Sequence, residues 1–253
     1  MRYFLLNIII LMVITGCASN PTNPGLRPSA GTNQIALANL NLAVEYMRTG
    51  DLEIALERLN RAYEADPRHY GTHNVYGLLY QRLGDPVLAE DHFKRAIALN
   101  SNDSESKNNY GSFLCQRGRF DEAEETFLSA ASNPLYQTPE VAYANAGTCA
   151  IANNRKDLGE NYLRQALSLN PRLSVALLQM SQLNYEQDNF LSARGYLQRF
   201  ENFSSHNASS LLLGIKIERV LGDEDTESSY EMLLRNNFSD SLQVQELNEL
   251  NRQ

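Results

Sequence analysis

The sequence predicts an all-α superhelix of about six stacked helix-turn-helix units. Three observations carry this: a self-similarity that returns every 34 residues from residue 36, small residues held in phase within each period, and no alternating strand pattern. In the first unit, 36–69, Leu42 and Ala43 stand at repeat positions 7 and 8, Tyr46 at 11, Gly50 at 15, Ala55 at 20, Leu59 at 24, Ala62 at 27 and Pro67 at 32. The second, 70–103, places Tyr76, Gly77, Tyr80, Gly84, Ala89, Phe93 and Ala96 at the corresponding positions, and only Ser101 departs. The third, from 104, supplies Tyr110, Gly111, Leu114, Gly118, Ala123, Phe127 and Ala130, then runs two residues long through NPLYQTPE. The fourth, from 140, keeps Ala146, Gly147, Ala150, Gly159, Leu163, Ala166 and Pro171. A looser fifth, 174–207, keeps Met180, Ser181, Asn184, Ala193 and Leu197, and a sixth can be drawn to about residue 240 on Leu213, Gly214, Ile217 and Tyr230.

This is the length and pattern of a tetratricopeptide repeat, and the spacing has a physical cause. Two antiparallel helices cannot bury their apolar faces alone. Small residues at positions 8, 20 and 27 let them approach closely, while larger ones at 7, 11 and 24 fill the space between. Gly at 15 suits a left-handed residue that ends the first helix, and Pro at 32 stops the second.

Ahead of the repeats lies a different kind of segment. Residues 1–16, MRYFLLNIIILMVITG, have one Arg near the start and an apolar stretch from Phe4 to Ile14 broken only by Asn7. That stretch is short of the roughly 20 residues a membrane-spanning helix needs, so it reads as a secretory signal peptide. The run Ile14, Thr15, Gly16, Cys17 resembles the lipobox of bacterial lipoproteins, which makes Cys17 the expected lipid anchor. In such lipoproteins an Asp after the cysteine favours inner-membrane retention; Ala18 and Ser19 stand here, so outer-membrane sorting is expected. Several acyl chains would hold the protein at a bilayer where one binds only marginally. Residues 17–35 are then a lipidated flexible tether: 18–34 hold three Pro, two Gly and a single large apolar residue, Leu26. The expected domains are completed by a solenoid over 36–240 and a C-terminal tail, 241–253.

The formal charge is −8, and no Lys/Arg-rich run is present. Nucleic acid, whose backbone demands clustered positive charge, is an unsuitable partner. With Cys17 consumed by lipid, Cys115 and Cys149 remain. In an oxidising envelope they either pair or stay as two small buried residues. Cys115 at position 12 and Cys149 at position 10 of the next unit lie on neighbouring first helices, whose axes are about 8–10 Å apart, so a disulfide is expected. His69 and His73 are four apart but no Cys or carboxylate joins them at a ligand spacing, so neither metal nor cofactor is expected.

Stacked pairs form a superhelix whose concave face is lined by the first helices, chiefly at positions 2, 5, 9, 12 and 13. In the first repeat these are Leu37, Leu40, Val44, Met47 and Arg48; in the second Asn74, Leu78, Gln81 and Arg82; in the third Asn108, Ser112, Cys115 and Gln116. An apolar patch passing into a polar one suits a partner segment, although Leu37 to Met47 would equally serve to cap the solenoid or pack beneath the tether.

The block from 108 to 150, NNYGSFLCQRGRFDEAEETFLSAASNPLYQTPEVAYANAGTCA, resembles the PilF/PilW family of type IV pilus biogenesis and stability proteins. General repeat pattern accounts for its Gly, Ala and Phe, but not for NPLYQTPE or CQRGRF. The resemblance implies a pilotin: an outer-membrane lipoprotein, expected to be monomeric, whose repeats bind the pilus secretin subunit and promote its localisation and multimerisation. It implies Leu37, Leu40, Val44 and Met47 as apolar partner contacts and Asn74 and Asn108 as polar ones. A general envelope adaptor for cell-wall enzymes or outer-membrane assembly would look much the same outside that block. An enzyme is not expected: no nucleophile elbow, phosphate loop or zinc-protease motif occurs, and paired acids such as Glu124/Glu125 and Asp223/Asp225 read as solvated charges.

Overall fold

The computed structural model describes residues 30–252; the signal segment, Cys17 and most of the tether lie outside the described residues. Thirteen helices and no strand occur among the described residues. They run as six antiparallel pairs and one single helix. The pairs are α1 (Ala30–Thr49) with α2 (Leu52–Ala65), α3 (Tyr70–Leu83) with α4 (Pro86–Leu99), and α5 (Ser104–Gln116) with α6 (Phe120–Ala131). There follow α7 (Pro139–Ala152) with α8 (Lys156–Leu169), α9 (Ser174–Glu186) with α10 (Phe190–Glu201), α11 (Ala208–Leu221) with α12 (Glu224–Asn237), and finally α13 (Leu242–Leu250).

The phase-locked small residues act as expected. Ala43, Ala55 and Ala62 are fully buried, as are Ala89 and Ala96, and Ala123 and Ala130. Position 8 receives the side chain of position 24 from the partner helix. A Cβ added at Gly77 would stand 2.6 Å from the Phe93 ring, and one at Gly111 would stand 2.8 Å from Phe127. No larger residue fits without moving the pair apart. Each turn from first to second helix has one residue at positive φ: Gly50, Gly84, Gly118 and Gly222, with Asn154 (57°) and Asp188 (61°) in the fourth and fifth repeats. Asn and Asp are the side chains that tolerate this region best, which is why those repeats turn without glycine.

Curvature follows from which helices meet. Successive first helices touch along the series α1, α3, α5, α7, α9, α11, whereas no second helix meets the next second helix. The first helices therefore crowd the inner face and the second helices splay outside.

Two boundaries differ from expectation. Helix α1 begins at Ala30, inside the segment read as tether, six residues ahead of Ala36, the first of its residues described as buried. Residues 241–253 are not a plain tail: Ser241 caps α13 by accepting from the Val244 N–H, and Val244 and Leu247 bury against Leu211, Ile215 and Leu234. A spacing of three places both residues on one helical face.

Candidate partner-binding groove

On α1 the inward stripe is Ala36, Leu40, Ala43 and Met47, spaced four, three and four apart, and all are buried. Leu40 and Met47 join Leu59, Val75, Tyr76 and Leu79 in the core between the first two repeats. The expectation that they contact a partner is therefore corrected: both side chains are spent holding repeat one to repeat two. Leu37 and Val44, one residue further round the helix, are each 44% exposed. Together with Asn41 and Arg48 they form the open row of α1.

Asn74 and Asn108 are corrected in a similar way. They are 7% and 8% exposed, and their amide oxygens are occupied. Asn109 Nδ2 donates to Asn74 Oδ1 at 3.2 Å, and Asn145 Nδ2 donates to Asn108 Oδ1 at 3.0 Å. Further along the first helices, Gln81 Nε2 donates to Gln116 Oε1 at 2.6 Å, and Arg82 Nη1 to the Met47 carbonyl at 2.6 Å. These amides and the guanidinium form a polar ladder that fixes the register of neighbouring repeats. Its sequence signal is a separation of 35 residues, one repeat plus one, for three of the four contacts, and 37 for Asn108–Asn145, across the two-residue insertion. Reading one face at a time shows the amides but not their partners.

Along position 9 of the first helices the chemistry grades from Val44 and Leu78 through Ser112 and Thr148 to Gln182. Both hydroxyls turn back onto their own helix, Ser112 Oγ to the Asn108 carbonyl and Thr148 Oγ1 to the Ala144 carbonyl, each at 3.0 Å. A cavity of about 190 Å³ opens between repeats three and four, lined by Ser112, Cys115, Gln116, Asn145, Thr148 and Cys149 over Phe127. Cys115 and Cys149 are joined beside it, their Cα atoms 5.8 Å apart.

A larger cleft of about 460 Å³ lies between Pro86, Val87 and Phe113 near the turns of repeats two and three. Both of its acids are paired, Asp91 with Arg95 at 2.9 Å and Glu90 with several donors. Arg119, Lys94 and Tyr110 all donate to Glu90, and the Arg119 guanidinium above all holds the carboxyl down at about 2. Glu124, read as a solvated charge, similarly ties two repeats: Arg155 Nη1 reaches it at 2.8 Å and Tyr162 OH at 2.6 Å.

These contacts hold neighbouring repeats together. Ser210, His206 and Glu201 fall in line, with Nδ1 of His206 3.1 Å from Ser210 Oγ and Nε2 3.3 Å from Glu201. Ser210 is, however, fully buried, and its hydroxyl closes the capping box with Asn207 at the start of α11. Among the described residues no three His, Cys, Asp or Glu side chains gather to hold a metal ion.

The tetratricopeptide repeat models match residues 40–104, 76–138 and 141–173. Over 238 residues the chain is 30% identical to the type IV pilus assembly protein PilF of Pseudomonas aeruginosa, covering 94% of each chain. It belongs to the PilF/PilW family. Two solved structures of that family superpose on it, one of Pseudomonas aeruginosa PilF (TM-score 0.75, 30% identity, 87% of this chain and 99% of that one) and one of the pilus biogenesis factor PilW (TM-score 0.75, 30% identity, 85% and 99%). A likeness to the Cut9 assembly (TM-score 0.70, 14% identity, 84% of this chain and 42% of that one) reflects the shared fold alone.

Proposed function

We propose that this protein is a type IV pilus biogenesis factor acting as a pilotin: it binds the pilus secretin subunit along its inner face and promotes the subunit's placement and multimerisation at the outer membrane. The observation that carries this reading is family kinship along nearly the whole chain, 94% of it, with a protein named for type IV pilus assembly. The anchor in this reading is lipid on Cys17. Anchor and groove act on the same partner, so the bilayer raises the partner's local concentration without any bond being made or broken. The oxidised Cys115–Cys149 pair suits an envelope compartment. Recognition is assigned to Leu37 and Val44, which remain open on α1, with the amide ladder keeping the first helices in register.

The test compares Cys17→Ala with Leu37→Asp/Val44→Asp, scoring secretin multimers and pilus-dependent motility. Cys17→Ala is expected to leave multimers scarce or misplaced. The α1 variant is expected to stay folded and membrane-bound while co-purifying less than a tenth as much secretin. Normal multimers in both variants refute the reading, and co-purified wall hydrolases without secretin would favour a general envelope adaptor.

A further inference from the structure

The second repeat contains an unusual pair, two imidazoles bonded to each other across its two helices. His73 on α3 is 3% exposed, and its Nδ1 lies 3.0 Å from Nδ1 of His92 on α4. The other nitrogen of His73, Nε2, is 3.2 Å from the Pro67 carbonyl. A carbonyl only accepts, so His73 carries its proton on Nε2 and offers a lone pair at Nδ1, and His92 must donate from Nδ1. Every contact is satisfied with one proton on each ring. A proton added to His73 would set N–H against N–H at the same 3.0 Å and break the bond.

The surroundings offer charge little compensation. The His92 ring stacks on Tyr76 and Tyr80 at 4.6 and 5.5 Å, and Tyr63 of α2 meets His73 edge-on at 5.7 Å. The charged groups nearby on α4 are Asp91 and Arg95, which pair with each other at 2.9 Å, and His69 stands at the start of α3. Glu64 of α2 acts on Tyr76. Helix α5 presents Tyr110 and Phe113 to Phe93 rather than to the pair.

We propose that His73 and His92 form a proton-operated lock that holds α3 to α4 at neutral pH and releases the second repeat on acidification. Burial is the main reason both rings resist protonation: His73 lies below the ordinary imidazole range, and His92, further opposed by His73, is held down at about 4. The opened state regains ordinary histidines, near 6.5, and so binds more protons than the closed state between about pH 4 and 6.5. The closed state accordingly loses stability as pH falls through that window and keeps it above. Because α3 also carries Asn74, Gln81 and Arg82, whose partners are Asn109, Gln116 and the Met47 carbonyl, opening this pair undoes the ladder on both sides. The lock stands on its own geometry and does not depend on who the partner is.

Native-state hydrogen exchange at pH 7.5 and 5, corrected for intrinsic exchange, tests it alongside an NMR titration of the imidazoles. In the wild type, opening of α3 and α4 relative to α9 and α10 is expected to rise by roughly tenfold or more at pH 5. His92→Phe keeps an aromatic ring against Tyr76 and Tyr80 and cannot take a proton, so the share of that rise carried by His92 should vanish and the rise should shrink severalfold. An equal rise in both proteins overturns the proposal. So does a wild-type His92 that titrates at or above 6.5, a measurement that decides the matter even if the variant fails to fold.

Discussion

The joint between the third and fourth repeats and the joint between the fifth and sixth share one helical geometry and are secured by different forces. At the first, Cys115 is bonded to Cys149, Asn145 donates to Asn108, and Arg155 and Tyr162 converge on Glu124. At the second, Glu218, 2% exposed, is gripped by Arg194 through two guanidinium nitrogens, with Asp223 3.5 Å from the same group, over a core of Leu197, Phe200, Leu213 and Ile217. The first adds to its ion pair a covalent bond that answers to reductant; the second relies on an ion pair half-sunk in apolar side chains. In a solenoid each repeat touches only its neighbours, so the two joints can be weakened separately.

The largest effect is expected at the ionic joint. Arg194→Leu leaves the buried Glu218 carboxylate without its main partner and should destabilise repeats five and six by about 3–5 kcal/mol. Urea unfolding followed by exchange in α9 to α12 measures this. The double change Arg194→Leu/Glu218→Leu should recover most of the loss, and equal losses in the single and double variants would show that the joint rests on packing instead. Next comes Cys115→Ala, or reduction of the wild type. Releasing a loop spanned by 34 residues should cost about 3–4 kcal/mol by loop-closure entropy. That cost should be confined to repeats three and four, and a wild-type protein indifferent to reductant would mean that the thiols are free. The smallest effect is Asn145→Ala. It removes one amide donor and should cost about 1 kcal/mol, read as a shift in urea midpoint that adds to the cysteine effect only if the two contacts act independently.

The fold was legible in the sequence because its constraints recur. A glycine facing Phe93 and another facing Phe127 announce the same contact a period apart, and repetition separates such signals from chance. Where a constraint has more than one chemical solution the signal fades. The turns at Asn154 and Asp188 carry no glycine to mark them. Helix α13 offers only Ser241 and a single short apolar face, which occurs once and matches no period. The groove was less legible for a different reason. Repeat position tells which side of a helix a residue occupies, but burial depends on what the next repeat presents, so Leu40 and Met47 vanish under Val75 and Leu79 while Leu37 and Val44 stay open. Asn74 and Asn108 lie on the face assigned to them, but each is bonded to a residue roughly one repeat further along.

The odd helix count among the described residues gives the stack a direction. Helix α13 closes the far end of the described stack, sinking Val244 and Leu247 and turning Gln245, Glu246 and Glu249 outward. At the near end α1 leaves Ile35, Leu37, Leu42 and Val44 bare. Among the described residues the two ends are therefore unlike: one is finished by a helix with a polar outer side, the other by a helix that keeps apolar side chains in the open on two of its sides.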